Sequence, residues 1–593
     1  MKLFSRFSTL KSAALLLVCF FIMLADGKIP SGRLVYALQQ RSVLPDGTVV
    51  LRAGDVAAPS IPSHREFASP TYAIDTDLEA RIEEILSRRP YDRAQWGIEV
   101  LSLDDNKIVY AHNSGRPMIP ASNMKLFTTA TAMHYLGPEY RFKTAVYTHS
   151  HPNSEGIVTG GLVLRGGGDP FFTRNFLKDG ALAFFEDIAQ QLRGKGIRRI
   201  GGNIIGDDSL YPYTPPSTSA LAASQTLHEE GQSEGQSKVT ASGEPEDDQD
   251  GEVSALSFYD NTIGIRVVPV RSGAPVVVRT EPRTEYFHII NRATATRGRR
   301  SKLRLAKSKG SNTIVLTGKV SLRSRGLVSY VRVDDPAAFG AYLLKESLER
   351  YGIAVSGIAE SHHGGGIPYR DLHELAKHES PPLIDAISII NKRSDNAYAE
   401  LLLRLVGTEV RGRGTAEAGI SVVQELVRQT GVDPNELSIN DGSGLSKANA
   451  LSPHAEISLL RYVTQQHYYP SFVSSLAVAG TDGTLKHRLS NGATVQRIFG
   501  KTGTLANVVA LGGFLYSLQG KRLAFVIFCN NFLYGAGSAR HGVDEIVELL
   551  ARHDYGKPEN GSTNLSGAQE NGRLEPFGAI TRPVLAENFS QAD

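Results

Sequence analysis

The sequence predicts an α/β protein of the α+β kind, in which hairpin-linked strands form a sheet against helices and β-rich segments are inserted mid-chain. Three observations predict it. Apolar residues recur at helical spacing near 78–86 and 126–133, and again through 383–405 and 543–550. Alternating runs at 96–112 and 510–530 turn on Asp-Asp-Asn and Gln-Gly, as antiparallel hairpins do. Strand-like runs also fill much of the interval 140–334, so further domains are expected inside it.

With 593 residues the chain can bury a sizeable core and form several domains. Its 41% hydrophobic and 21% charged content is that of an ordinary globular protein. A net charge of +3 is small for this length, so nothing global demands nucleic acid. Lys2, Arg6 and Lys11 precede an apolar run over 13–25, followed by Asp-Gly. About a dozen apolar residues is short for a bilayer span, so 1–26 reads as a signal peptide and the protein as exported to the periplasm or cell envelope. There are two cysteines, Cys19 and Cys529. Removal of the leader leaves one thiol and no possible intramolecular disulfide. Cys529 ends an apolar strand-like run and reads as an inert core thiol.

Taken in order, 27–70 is rich in Pro, Ser, Gly and Ala and reads as a flexible tether. Asp75 to Asp77 cap a helix with Leu78, Ile82, Ile85 and Leu86 on one face. Strands at 96–104 and 107–112 lead into a helix opened at 120–126, with Leu126, Thr129, Ala130 and Met133 on one stripe and Gly137 as its stop. Further strands are expected over 140–147 and 161–165, before Gly166-Gly167-Gly168-Asp169-Pro170. No Lys-Ser/Thr follows those glycines, so they form a turn and not a phosphate loop. The stretch 214–253 is too polar and acidic to offset its ordering entropy and reads as a disordered surface insertion. Gly231-Gln232-Ser233-Glu234-Gly235 inside it lacks the strand that a nucleophile elbow needs.

Strand-like material resumes at 256–270 and continues to 334. Between Arg292 and Lys309 lie eight basic residues and no acidic one, a solvated hairpin or a contact for anionic wall polymer or lipid. A helix is expected over 336–351. His362-His363 has no third ligand in view, so no metal site is assigned. Leu383, Ala386, Ile387 and Ile390 make one helical face and 397–405 another, with polar Ser394-Asp395-Asn396 between them. Strands at 497–504, 510–516 and 523–530, a closing helix, and a Gly- and Asn-rich tail over 556–593 complete the chain.

Three of these features share one chemistry. At a helix start, Ser122 and Lys125 leave the same face, giving a hydroxyl an amine as base near free backbone N–H groups. Ser394-Asp395-Asn396 presents polar groups between rigid helices. Lys501-Thr502-Gly503-Thr504 lies on a strand with a hairpin partner. Together, and in this order, they are the signatures of penicillin-binding proteins and serine β-lactamases. Adding Asp441-Gly-Ser-Gly-Leu-Ser, Gly480-Thr-Asp-Gly-Thr-Leu and the long interval between Ser122 and Ser394, the chain resembles the class C low-molecular-mass penicillin-binding proteins, the D-alanyl-D-alanine carboxypeptidase/endopeptidase family.

The resemblance implies a transpeptidase-like domain, an antiparallel sheet with helices on both faces plus a helical subdomain. This catalytic domain would comprise 71–145 and 376–555. A first inserted domain would comprise 146–210 and 335–375, and a second, nested one 211–334. It implies Ser122 as nucleophile, Lys125 as base, Ser394 as proton relay and Asn396 as orienting group. Lys501, Thr502, Gly503 and Thr504 would bind the substrate's terminal carboxylate, with the N–H groups of Ser122 and Thr504 as oxyanion hole. Asp169 is a candidate for reading diaminopimelate. No metal or organic cofactor is implied. The expected partners are peptidoglycan stem peptides ending in D-Ala-D-Ala or crosslinked through diaminopimelate, and β-lactams as acylating inhibitors, with peripheral membrane or wall contact possible in principle and no nucleic acid. A β-lactamase or esterase on the same scaffold is the alternative.

Overall fold

A computed structural model describes residues 69–172, 182–212, 254–307 and 310–555, together with the backbone of three short strands, Ser42–Val43, Val49–Val50 and Ser224–His228. The chain divides into two units, 1–69 and 70–593. In the first, the structure describes the antiparallel pair of Ser42–Val43 with Val49–Val50. The expected leader, most of the expected tether and acidic insertion, and the expected tail lie outside the described residues.

The second unit opens with strand β1 (Thr71–Tyr72) and helix α1 (Thr76–Ser87). Asp75 caps α1 by accepting from Leu78 N at 3.1 Å, and Leu78, Ile82, Ile85 and Leu86 are buried, as their spacing predicts. The hairpin β2 (Gln95–Ser102) and β3 (Lys107–His112) follows, then helix α2 (Met124–Leu136). Every residue of α2 from Met124 to Met133 is buried, so α2 is a central helix and not the one-faced helix its stripe suggests.

The chain next builds the inserted part. Strands β4 (Lys143–Thr148), β5 (Leu162–Arg165) and β6 (Ile204–Asp207) are joined by β13 (Ala359–His362) and β14 (His373–Glu379) into a five-stranded sheet of order β13-β6-β5-β4-β14. The chain enters this sheet along β4 and leaves it along β14, which pairs antiparallel with β4. Helices α3 (Ala183–Gly194) and α4 (Pro336–Arg350) pack on this sheet. Between β6 and α4 lie β7 (Thr262–Val268), β8 (Val277–Glu281), β9 (His288–Thr296), β10 (Lys302–Lys307), β11 (Thr313–Ser321) and β12 (Leu327–Arg332). They form two sheets, β8-β7-β12 and Ser224–His228 with β10-β11-β9. One apolar cluster runs from Val146, Leu162 and Ile204 through Phe258 and Ile263 to Leu303 and Leu316. The nested strands and the five-stranded sheet therefore share a core.

After β14 the chain re-enters the helical side through α5 (Leu383–Arg393), α6 (Asn396–Arg411), α7 (Ala416–Gln429), α8 (Pro453–Val463) and α9 (Tyr469–Ser475). It then completes the main sheet with β15 (Ala477–Val478), β16 (Ile498–Leu505), β17 (Val508–Tyr516) and β18 (Arg522–Asn530), and closes with α10 (Ala536–Arg552). The order is β15-β16-β17-β18-β2-β3-β1, antiparallel throughout except for β1 on β3. Helices α1 and α10 cover one face through Leu78, Ile546 and Leu550 against Ile98, Phe525 and Ile527. Helix α8 packs on the other. A sheet covered on both faces needs apolar residues on both, and β17 and β18 are buried along nearly their whole length. Cys529 is fully buried in β18, and burial pushes its thiol up to about 12.

Phe525 sits at the centre of this sheet with no exposed surface. Replacing it with Ala should lower stability by about 3–5 kcal/mol, read as a fall in the urea midpoint at unchanged slope.

Candidate active site

Lys125 is the hub. Its side chain is fully buried, and its Nζ donates to Ser122 Oγ at 3.1 Å, Asn396 Oδ1 at 2.6 Å and the Ser443 carbonyl at 2.6 Å. Three separate stretches of chain thus converge on one amine. Ser122 lies in a single 3-10 turn, Ala121–Asn123, ahead of α2 rather than in the α-helix itself. Ala121 has a φ of +47°, a left-handed conformation that costs an L-residue about 1–2 kcal/mol. The turn is held on two sides. A Cβ on Gly444 would lie 1.8 Å from the Ala121 carbonyl, and one on Gly503 2.7 Å from the Pro120 carbonyl. Only glycine permits either approach.

Asn396 begins α6 one residue after Asp395, whose side chain caps that helix by accepting from Tyr398 N at 3.0 Å. Ser394 ends α5 in the left-handed region, at φ +63°. Its Oγ accepts from Lys501 Nζ at 2.8 Å, and the same amine donates to Thr502 O at 2.7 Å. Strand alternation puts Lys501 and Gly503 on one face of β16 and Thr502 and Thr504 on the other. The Thr502 hydroxyl donates to Thr484 Oγ1 at 2.8 Å, and Thr504 is exposed.

The third wall is one whose motif is visible in the sequence but whose role is not. Glu400 Oε1 accepts from both Gly442 N and Ser443 N at 2.9 Å. Asp441 accepts from Gly444 N and Ser446 N at 2.6 Å and from Asn449 Nδ2 at 2.8 Å. These bonds fix the carbonyl that receives Lys125. Glu456 on α8 is the other residue unassigned from sequence; its Oε1 accepts from Asn123 Nδ2 at 2.9 Å, behind the turn that carries Ser122. The signal for Glu400 and Glu456 was slight, because each is an acidic residue on an otherwise ordinary helix.

Electrostatics follow from burial. Loss of solvent pushes the Lys125 amine down to about 8, opposed by the carboxylates of Asp395, Glu400 and Asp441. Burial leads that shift. The Lys501 amine lies well below its ordinary value, through burial and then through the Lys125 charge. Burial pushes Glu456 up to about 8, although Lys501 opposes this.

Ser122, Lys125 and Asn396 form one hydrogen-bonded set and Ser394 with Lys501 a second, and the Lys125 charge acting on Lys501 couples the two into one site. Asp169 is not bonded into it. It is buried in its glycine-rich turn, where Oδ1 accepts from Phe171 N at 2.8 Å, Oδ2 has no partner among the described residues, and burial pushes the carboxyl up to about 7. That turn reaches the helical side through Tyr211, which packs with Leu401 of α6 and donates to its carbonyl at 3.3 Å. A Cβ on Gly168 would meet the Tyr211 hydroxyl at 2.1 Å. Among the described residues, no group of three or more His, Cys, Asp or Glu is placed to hold a metal ion.

The model of the D-Ala-D-Ala carboxypeptidase 3 (S13) family matches residues 78–553. The chain belongs to this family. A D-alanyl-D-alanine carboxypeptidase of Actinomadura sp. strain R39 is 30% identical over 519 residues, covering 84% of this chain and 89% of the relative. Penicillin binding protein 4 from Haemophilus influenzae superposes with a TM-score of 0.60 at 21% identity, over 80% of this chain and 99% of its own. The same protein complexed with a β-lactam gives 0.59 at 22% identity, over 79% and 98%. Family, fold and enzyme class, a penicillin-binding-protein fold and a serine D-Ala-D-Ala carboxypeptidase, are those expected from the motifs.

With lysines labelled at Nζ, Lys125 should titrate near 8. Asp395→Asn keeps a helix-capping side chain but removes the opposing charge with the largest effect, so the midpoint should move lower still. A midpoint unchanged or raised in that variant would contradict the assigned electrostatics.

Proposed function

We propose that the protein hydrolyses peptidoglycan stem peptides through an acyl-enzyme on Ser122, removing the terminal D-Ala and also opening D-Ala–diaminopimelate crosslinks. The observation that carries this reading is a fully buried amine 3.1 Å from a half-buried serine hydroxyl, and burial pushes that amine down to about 8. A hydroxyl needs a base to become a nucleophile at neutral pH, and an amine close to neutrality provides one. Lys125 takes the Ser122 proton as the oxygen attacks the penultimate D-Ala carbonyl. Asn396 holds the amine and meets the substrate amide. Ser394, already bonded to Lys501, relays a proton to the departing amine. Water then hydrolyses the ester by the reverse path.

The hydroxyls of Thr502 and Thr504, on one face of β16, bind the terminal carboxylate, and Lys501, whose side chain leaves the opposite face, supplies the positive charge behind them. An anion beside Lys501 restores the charge that burial suppresses, so the site reads a carboxylate as a charge. The crosslink bond also has a carboxylate beside it, which brings endopeptidase cleavage within the same chemistry. Gly503 lets β16 pass against the nucleophile turn, and the N–H groups of Ser122 and Thr504 serve as the oxyanion hole. Asp169 reads the free ammonium of diaminopimelate. Its unpartnered buried oxygen supports that role, since a cation beside it would return the carboxyl to its ionised form. β-Lactams, which offer a strained amide beside a carboxylate, would acylate Ser122. The leader supports action in the cell envelope.

Fluorescent penicillin tests the reading. Label should persist on the protein and vanish in Ser122→Ala, with peptide hydrolysis falling by about a thousandfold or more. Rapid loss of label with drug turnover would instead identify a β-lactamase, and no label would sink both. Protonation of Lys125 removes the base, so acylation should rise with pH through about 8 and fall tenfold per unit below it. Crosslinked muropeptides separate the two peptidase activities.

Asp169→Asn should raise KM for a stem peptide carrying a free side-chain ammonium. An acetylated analogue should be hardly affected.

A further inference from the structure

The outer end of the inserted part takes no part in this chemistry, and three turns meet there. Loop 269–276, after β7, runs beside the end of β9, with Gly273 N donating to Ala295 O at 2.8 Å and Ala295 N to Ala274 O at 2.9 Å. Strands β9 and β11 are parallel and β10 is antiparallel to β11, so the β9–β10 turn and the turn after β11 fall at that same end. Leu322 N donates to Thr296 O at 2.8 Å. Ser321 closes the set, its N–H bonding Ser301 Oγ at 2.9 Å and its hydroxyl the Gly298 carbonyl at 2.7 Å.

The turns display Arg271, Arg297, Arg299, Arg300, Arg323 and Arg325, all exposed. Lys302 and Lys319, paired across β10 and β11, carry the charge onto the sheet. Segments 269–276, 297–302 and 319–326 contain no Asp or Glu. Eight like charges packed this closely repel one another, a cost that an external anion would relieve. The whole chain has a net charge of only +3, so this end is strongly positive relative to the rest.

Two apolar side chains project among the arginines, Val270 at 65% and Leu322 at 37% exposed. A polyanion in water gives them no burial. A lipid headgroup layer accommodates both kinds of side chain at once, with guanidinium groups on phosphates and apolar side chains at the acyl boundary. We propose that this end docks peripherally on an anionic lipid surface, Val270 and Leu322 entering between headgroups that the arginines hold.

The test is co-sedimentation of the full chain with vesicles of phosphatidylglycerol and phosphatidylcholine, or of phosphatidylcholine alone. Binding is expected only to the anionic vesicles, with release by about 1 M salt, where the Debye length is ~3 Å. The triple variant Arg299→Glu, Arg300→Glu, Arg323→Glu should bind tenfold or more weakly. The double variant Val270→Ser, Leu322→Ser should also weaken binding. Both should hydrolyse a soluble D-Ala-D-Ala peptide at the unsubstituted rate, which verifies the fold. Equal binding to neutral vesicles, as insertion of the apolar leader would give, overturns the proposal. So does a triple variant that binds like the original, or capture by purified sacculi without vesicle binding, which would make a wall polymer the partner.

Discussion

The catalytic part is organised around the cost of burying the Lys125 ammonium. Removing such a charge from water carries an effective penalty of several kcal/mol unless its protons find acceptors and its pKa yields. Both happen here. The three acceptors come from the turn before α2, the start of α6 and the loop 441–449, and none of these can shift without leaving the amine short of a partner. The burial of α2 on all sides and the break between α5 and α6 both serve that convergence. So does the clamp that Glu400 places on the Ser443 backbone. What remains of the penalty appears as a lowered pKa, the property a base beside a serine requires.

The same convergence accounts for local strain. Ala121 and Ser394, flanking or forming the cluster, both sit in the left-handed region without being glycine. Each such residue costs about 1–3 kcal/mol and persists only where its surroundings over-determine it. For Ala121 the surroundings are Gly444 on one side and Gly503 on the other, both too close for any Cβ. Gly503 of the Lys-Thr-Gly element and Gly444 of Asp-Gly-Ser-Gly thus work together: they are the two jaws that hold the backbone beside Ser122.

Legibility in the sequence tracked how local the determining interaction was. The cap and stripe of α1, the hairpins of the main sheet and the Ser-Asp-Asn break were readable because period, turn residues and caps are short-range. The helix after Ser122 was placed well but its environment misread, since burial on every side depends on α5, α6 and α7 arriving later in the chain. Helix α7 went unassigned although Thr415 caps it and Val422, Val423, Leu426 and Val427 stripe it. The interval between two recognisable motifs drew no attention of its own. Burial leads the lowering of the Lys125 amine, and burial is a property of the assembled fold. Glu400 and Glu456 were illegible for the same reason: their roles exist only once remote backbone has been brought to them.

Lys501 shows how that assembled electrostatics becomes selectivity. Its amine is buried beside a second amine, and the nearest buried carboxyl, Glu456, is itself pushed up to about 8 and so supplies little negative charge at neutral pH. Ser394 and the Thr502 carbonyl satisfy its hydrogen bonds without balancing its charge. The free site is thus short of an anion, and in the proposed function a substrate carboxylate would supply what the fold withholds. An amidated C-terminus would desolvate the lysine and return no charge, leaving a buried polar group poorly matched at a cost of about 1–3 kcal/mol or more. In the proposed function, selectivity for a free carboxylate would then follow from what Lys501 lacks, and it would act beside the amine proposed as the base, Lys125.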